Sequence, residues 1–137
     1  METAGREFSN MAQQISPVLR ILIVDDEALI RWSLNEQLST AGYEVHEAGD
    51  GASALAYFSE DSPQIDLVVL DLKLPDADGV TLLRKIKRVC PTCRVILMTA
   101  FGSPETLQSA RDSGAYDVLA KPFDLDHMLR TVEQALH

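Results

Sequence analysis

Ile65-Asp66-Leu67-Val68-Val69-Leu70-Asp71-Leu72 is an apolar run, rich in branched residues, that stops on a carboxylate. Such a run suits a strand buried on both faces of a parallel sheet. Asp71 falls where that strand leaves the sheet, and Pro75 and Gly79 break the chain soon after. A carboxylate at a strand mouth is ordinarily a solvated loop residue. What sets Asp71 apart is the company that other strands bring to the same edge.

Outward from that run, strand and helix alternate. Upstream, Ile21-Leu22-Ile23-Val24 reads as a buried strand ending on Asp25-Asp26. Ile30, Leu34 and Leu38 then recur at helical spacing, and Gly42 stands where a helix-ending glycine belongs. A second strand is expected over 43–48 and an alanine-favoured helix over 52–59. Downstream, Val80, Leu83 and Ile86 place a helix over 79–89, followed by a strand over 94–98 ending on Thr99. Ser103-Pro104-Glu105 is a strong helix start, with Ser as N-cap, Pro in the first turn and an acid near the positive end of the helix dipole. That helix stops at Gly114, and a fifth strand over 116–120 ends on Lys121-Pro122. Asp124 caps a last helix carrying Leu125, Met128, Leu129, Val132 and Leu136. Five alternations with right-handed crossovers predict an α/β fold, a doubly wound parallel sheet covered by helices on both faces.

Composition agrees with one such domain. The 137 residues are 46% hydrophobic and 24% charged, which is too apolar for a disordered chain. A net charge of −9 repels nucleic acid and anionic membranes, and no basic stripe offsets it. No apolar run approaches a membrane span and no signal-peptide core is evident, so a cytoplasmic location is expected. Residues 1–18 read as a loose tail with a short helix around Met11 to Ile15, and 19–137 as the domain. Cys90-Pro91-Thr92-Cys93 has the spacing of a redox pair or half a zinc site. It closes a helix instead of opening one, and no further ligands accompany it, so it reads as a connecting turn with two reduced thiols.

In open α/β sheets, ligands sit outside the carboxyl ends of the strands. Four of the five strands here end on usable chemistry: Asp25 and Asp26, Asp71, Thr99, and Lys121. Carboxylates this close repel one another, and a hard divalent cation relieves the conflict. Mg²⁺ commonly takes one or two carboxylates together with waters and phosphate oxygens. Lys121 and Thr99 are suited to phosphate oxygens, and Asp71 can itself be a nucleophile that forms an aspartyl-phosphate.

Ile23-Val24-Asp25-Asp26-Glu27, Val69-Leu70-Asp71-Leu72-Lys73-Leu74-Pro75 with Gly79, Met98-Thr99-Ala100 and Lys121-Pro122-Phe123 together resemble the receiver domain of two-component response regulators. The resemblance implies a flavodoxin-like five-stranded sheet in the order 2-1-3-4-5 with five helices. It implies Asp71 as phospho-acceptor for a phosphohistidine presented by a sensor histidine kinase. Mg²⁺ would be bound by Asp26 and Asp71, by Asp25 through water, and by the main-chain carbonyl of Lys73. Thr99 and Lys121 would hold the phosphoryl oxygens, and the Lys121–Pro122 bond would be cis. Lys73 and Phe101 stand at positions where the family tunes access of water to the phosphoryl group. Ile30-Arg31-Trp32, Leu97-Met98-Thr99-Ala100 and Gly114-Ala115-Tyr116-Asp117 with Lys121-Pro122-Phe123-Asp124 are similar to nitrogen-regulator-type receivers. Those usually precede ATPase and DNA-binding modules, which implies a standalone receiver or a fragment of a transcriptional regulator. The signal would leave through helix four, strand five and helix five, toward a second copy or an output module.

One position departs from the family. Val118 stands where an aromatic residue often couples to the threonine, and Tyr116 lies two residues earlier. A valine is stiff at χ1 and has no ring to swing, so Thr99 and the loop over 100–105 are expected to carry the signal. Trp32 reads as helix packing, Asp76 and Asp78 as turn and cap residues, and His127 as solvent-facing. Two rival classes remain: a pseudo-receiver that never meets phosphate, and a phosphatase-like enzyme that turns over at Asp71. The second wants an acid–base carboxylate two residues after the nucleophile, where Lys73 stands.

Overall fold

The computed structural model describes residues 18–137. The N-terminal tail and the short helix expected within it lie outside those residues. The described chain runs β1 (Arg20–Val24), α1 (Ala28–Thr40), β2 (Glu44–Ala48), α2 (Gly51–Leu55), β3 (Leu67–Asp71), α3 (Gly79–Val89), β4 (Arg94–Thr99), α4 (Pro104–Asp112), β5 (Asp117–Ala120) and α5 (Leu125–Leu136). All strand pairs are parallel, in the order β2-β1-β3-β4-β5.

β3 occupies the middle of the sheet, and the run that defines it is buried without a break from Leu67 to Asp71. Its pleat divides the molecule. Val68 and Leu70 face a core with Ala54, Val80, Leu83 and Ile86, beneath α2 and α3, with Ala110 of α4. Leu67 and Val69 face a second core with Leu34, Leu38, Met128 and Val132, beneath α1 and α5. Side chains of this size contribute roughly 1.5–3 kcal/mol each on full burial, so this central strand is among the firmest parts of the scaffold.

Element ends follow local chemistry. α1 closes in a Schellman turn: Tyr43 N–H reaches Leu38 O and Gly42 N–H reaches Ser39 O, with Gly42 at φ +103°. Tyr43 therefore serves the helix end, and β2 starts one residue later than expected. The helix expected over 52–59 is shorter. Its α-helical part ends at Leu55, and Ala56–Phe58 tighten into a 3₁₀ turn. That turn packs Tyr57 and Phe58 against the first core. α4 begins as its sequence requires, with Ser103 Oγ accepting from Thr106 N–H at 3.1 Å.

Trp32 is a correction. It is 61% exposed and does not pack. Leu34 and Leu38 define the buried stripe of α1, and two residues from Leu34 is a turn of about 200° around the helix. Tyr116 precedes β5 and is exposed, while Val118 pairs with Leu97 in register and lies half-buried against the first core.

Candidate functional site

Parallel register brings the strand ends to one edge. Val24 pairs with Leu70, Asp71 with Met98, and Thr99 with Ala120, so Asp25, Asp71, Thr99 and Lys121 emerge side by side. They surround a cleft of about 540 Å³ lined by Asp26, Asp71, Lys73, Thr99, Phe101 and Lys121 among others. Asp25 lies beneath its floor, fully buried.

Asp25, Asp26 and Asp71 each offer an oxygen within 4.8 Å of the others. Among the described residues this is the one group of three or more such side chains close enough to hold a metal ion. Lys121 bridges two of them: its Nζ donates to Asp25 Oδ2 at 2.8 Å and to Asp71 Oδ2 at 3.0 Å, with Glu27 Oε1 at 3.7 Å. Asp25 Oδ1 accepts from Glu27 N–H at 2.8 Å. Burial pushes the Asp25 carboxyl above its usual pKa, and the bonds from Lys121 and Glu27 pull back without cancelling it. Burial also opposes the Lys121 charge, but hydrogen bonds to Asp25 and Asp71 outweigh it and hold the ammonium above the ordinary lysine value. Three carboxylates against one ammonium leave an excess of two negative charges. A small, hard divalent cation with oxygen ligands fits that donor set.

The loops after β3 and β4 complete the cleft. Lys73 N–H donates to Asp71 Oδ1 at 3.1 Å, and Lys73 forms an isolated bridge with Asp78. The loop folds back so closely that a Cβ on Gly79 would fall 2.4 Å from Leu72 Cα; only glycine fits. Thr99, nearly buried, accepts from Phe101 N–H through Oγ1 at 3.1 Å. The Phe101 ring is 95% exposed. The Lys121–Pro122 peptide is cis, as the resemblance implied.

The sequence-predicted site residues thus converge. Other expectations resolve as turn and cap chemistry: Asp76 accepts from Gly51 and Ala52 N–H at the start of α2, and Asp78 is the N-cap residue of α3. His127 is exposed. Cys93 is buried, and burial pushes its thiol up to about 12, consistent with an inert turn. Two residues were missed. Glu27 contributes its N–H to Asp25 and a carboxylate near Lys121, and its signal was the unbroken acidic run Asp25-Asp26-Glu27. Arg31 reaches the main chain of Asp25, and nothing local in the sequence marks that contact.

A doubly wound sheet with a lysine-bridged acidic cluster at its carboxyl edge defines a class of phosphoryl-accepting α/β domains. The response regulator receiver domain model matches residues 21–133. The chain is 40% identical to sporulation initiation phosphotransferase F of Bacillus subtilis over 117 residues, covering 85% of this chain and 93% of that protein. It is 39% identical to chemotaxis protein CheY of the same organism over 119 residues, 86% of this chain and 98% of that one. Against the DNA-binding transcriptional regulator NtrC of Escherichia coli it is 37% identical over 116 residues, but spans only 24% of that protein. Among solved structures, a CheY-like receiver domain from Methanospirillum hungatei superposes with a TM-score of 0.83 at 32% identity, covering 88% of this chain and 94% of that one. The chain belongs to the response regulator receiver family. It is a phospho-acceptor signalling switch of two-component systems.

Proposed function

We propose that Asp71 is the phospho-acceptor, taking a phosphoryl group from the phosphohistidine of a sensor histidine kinase. The observation that carries this is Lys121 Nζ between Asp25 and Asp71, which with Asp26 form a group of three mutually close carboxylates. Asp71 stands at the end of the most deeply buried strand, so its carboxylate is held still for in-line attack. An Asp71 oxygen bonds to phosphorus as the phosphorus–nitrogen bond breaks, and the electron pair leaves on the imidazole nitrogen. Asp26, Asp71 and the Lys73 main-chain carbonyl would hold Mg²⁺, with Asp25 reaching it through water. When bound, the ion neutralises charge on the transferring oxygens. Lys121 is poised to exchange its bond to Asp71 Oδ2 for a phosphoryl oxygen. The domain thereby promotes its own phosphorylation and dephosphorylation and turns over no other substrate.

The output begins at Thr99. Its hydroxyl holds Phe101 N–H, so turning it toward a phosphoryl oxygen breaks that bond and frees the loop leading into α4. With Val118 in place of an aromatic, this loop is the direct mechanical link from the cleft to the face of α4, β5 and α5. That face would contact a second copy or an output module, and the NtrC likeness favours a transcriptional regulator of the cytoplasm. No helix among the described residues is long and apolar enough to cross a membrane.

Incubation with acetyl phosphate and Mg²⁺ tests the reading. A mass gain of one phosphate, lost in Asp71→Asn, is expected. No gain in the wild type would mean a pseudo-receiver, and multiple turnover of a phosphate ester would mean an enzyme.

A further inference from the structure

Arg31 lies outside the cleft yet ends on its main chain. Its Nη1 donates to the carbonyl of Asp25 at 2.5 Å, and its Nε donates to Glu47 Oε1 at 3.1 Å. The Asp25 carbonyl belongs to the peptide that joins Asp25 to Asp26. One peptide earlier, Asp25 N–H is spent on Ala48 O at 3.1 Å. The backbone on either side of the Asp25 Cα is therefore tied to β2: the preceding peptide directly, and the peptide leading to Asp26 through Arg31 and Glu47.

The pin is itself braced. Glu47 Oε2 accepts from Asn35 Nδ2 at 2.8 Å, and Asn35 Oδ1 accepts from Ser39 Oγ at 2.7 Å. Arg31, Asn35 and Ser39 are spaced four apart, so they share one face of α1 and run alongside the edge strand. A polar ladder thus runs from the far end of α1 to the carbonyl of Asp25, in the peptide that leads to Asp26. Asp26 needs such help, because it is exposed and its side chain has no hydrogen-bond partner among the described residues.

We infer that Arg31 is a positioning residue for divalent-cation binding, fixing the Asp25–Asp26 peptide so that the Asp26 carboxylate faces Asp71. This rests on the reading of the acidic cluster as a Mg²⁺ site. Charge and position make opposite predictions here. An arginine near the cluster repels a cation, so its charge alone would weaken Mg²⁺ binding, and removing it would tighten binding. Loss of a positioning contact to a ligand-bearing segment weakens binding, typically by tenfold or more.

The experiment is an amide chemical-shift titration of the unphosphorylated full chain with MgCl₂, comparing wild type with Arg31→Met, Arg31→Lys and Glu47→Gln. Arg31→Met keeps the stem, and Arg31→Lys keeps the charge but cannot bridge two acceptors in one plane. Both are expected to raise the Mg²⁺ dissociation constant about tenfold, and Glu47→Gln by less. Acetyl-phosphate labelling at saturating Mg²⁺ should then recover wild-type rates in all three. Arg31→Met binding as tightly as wild type, or more tightly, overturns the inference. Equal Mg²⁺ affinity in Arg31→Lys and wild type overturns it too, because charge alone would then suffice. Failure of the wild type to bind Mg²⁺ instead overturns the metal-site reading on which it rests. Unfolding in urea without Mg²⁺ identifies a variant that has merely lost its fold, and Glu47→Gln, which leaves Arg31 in place, keeps the inference testable in that event.

Discussion

Lys121 offsets part of the cluster's charge in the resting protein and, in the proposed function, meets the phosphoryl group in the modified one. Those two tasks separate on mutation. Lys121→Ala is expected to accept phosphate from acetyl phosphate, because Asp71 and the acidic cluster remain. Its coupling should fail, since no cation is left to draw β5 toward the phosphoryl group. Comparing phosphate-induced dimerisation with phosphate incorporation checks this, and an undiminished response per phosphate would refute the role. A second residue-scale prediction concerns Cys93. In the fold the thiol keeps its proton up to about 12, whereas in the unfolded chain it loses it above its ordinary value of 9.0. The folded state binds the extra proton, so stability falls as pH rises between those values, by up to about 1.4 kcal/mol per pH unit. Cys93→Ala should flatten the alkaline limb of a urea-unfolding series relative to wild type while leaving values below pH 8 parallel.

At the scale of the element, the caps show what a sequence can and cannot announce. Ser103-Pro104-Glu105 was legible because every partner lies within three residues; Ser103→Ala should cost about 1 kcal/mol, read as a lower urea midpoint. α2 is different. Its first two N–H groups are taken by Asp76, 25 positions away, and these bonds hold the Asp76 carboxyl below the usual range. Asp76→Ala is expected to speed amide exchange in Gly51 and Ala52 while leaving α5 unchanged. In sequence, Asp76 looked like one more turn residue beside Pro75, which it is, and its reach to α2 had no local signature. The same division explains the site. Asp25, Asp71, Thr99 and Lys121 were legible because each closes an apolar strand, and topology alone then brings strand ends together. Arg31 was not, since its contact depends on how α1 rolls against β2. Trp32 was misread for a related reason: helix periodicity assigns faces, and Trp32 sits off the buried one.

Across the whole molecule the acidic cluster sets binding against stability. The chain carries a net charge of −9, and two of its carboxylates sit buried at one sheet edge with a third beside them. Lys121 offsets part of their repulsion, and the remainder is held in place by the surrounding sheet. A fold arranged this way should be more stable when that remainder is removed, either by a cation or by mutation. Mg²⁺ at ten times its dissociation constant contributes about 1.4 kcal/mol if it binds only the folded state. Asp26→Asn keeps the shape of the side chain and deletes one charge, so it should raise the melting temperature without metal by roughly 3–5 °C, equivalent to about 1 kcal/mol. The same variant should lose most of the Mg²⁺-dependent rise, because a proposed ligand has gone with the charge. Calorimetric melts of both proteins with MgCl₂, and with NaCl at matched ionic strength, separate specific binding from screening. If Asp26→Asn were less stable than wild type without metal, or kept a full response to Mg²⁺, Asp26 would be neither a source of the repulsion nor a ligand.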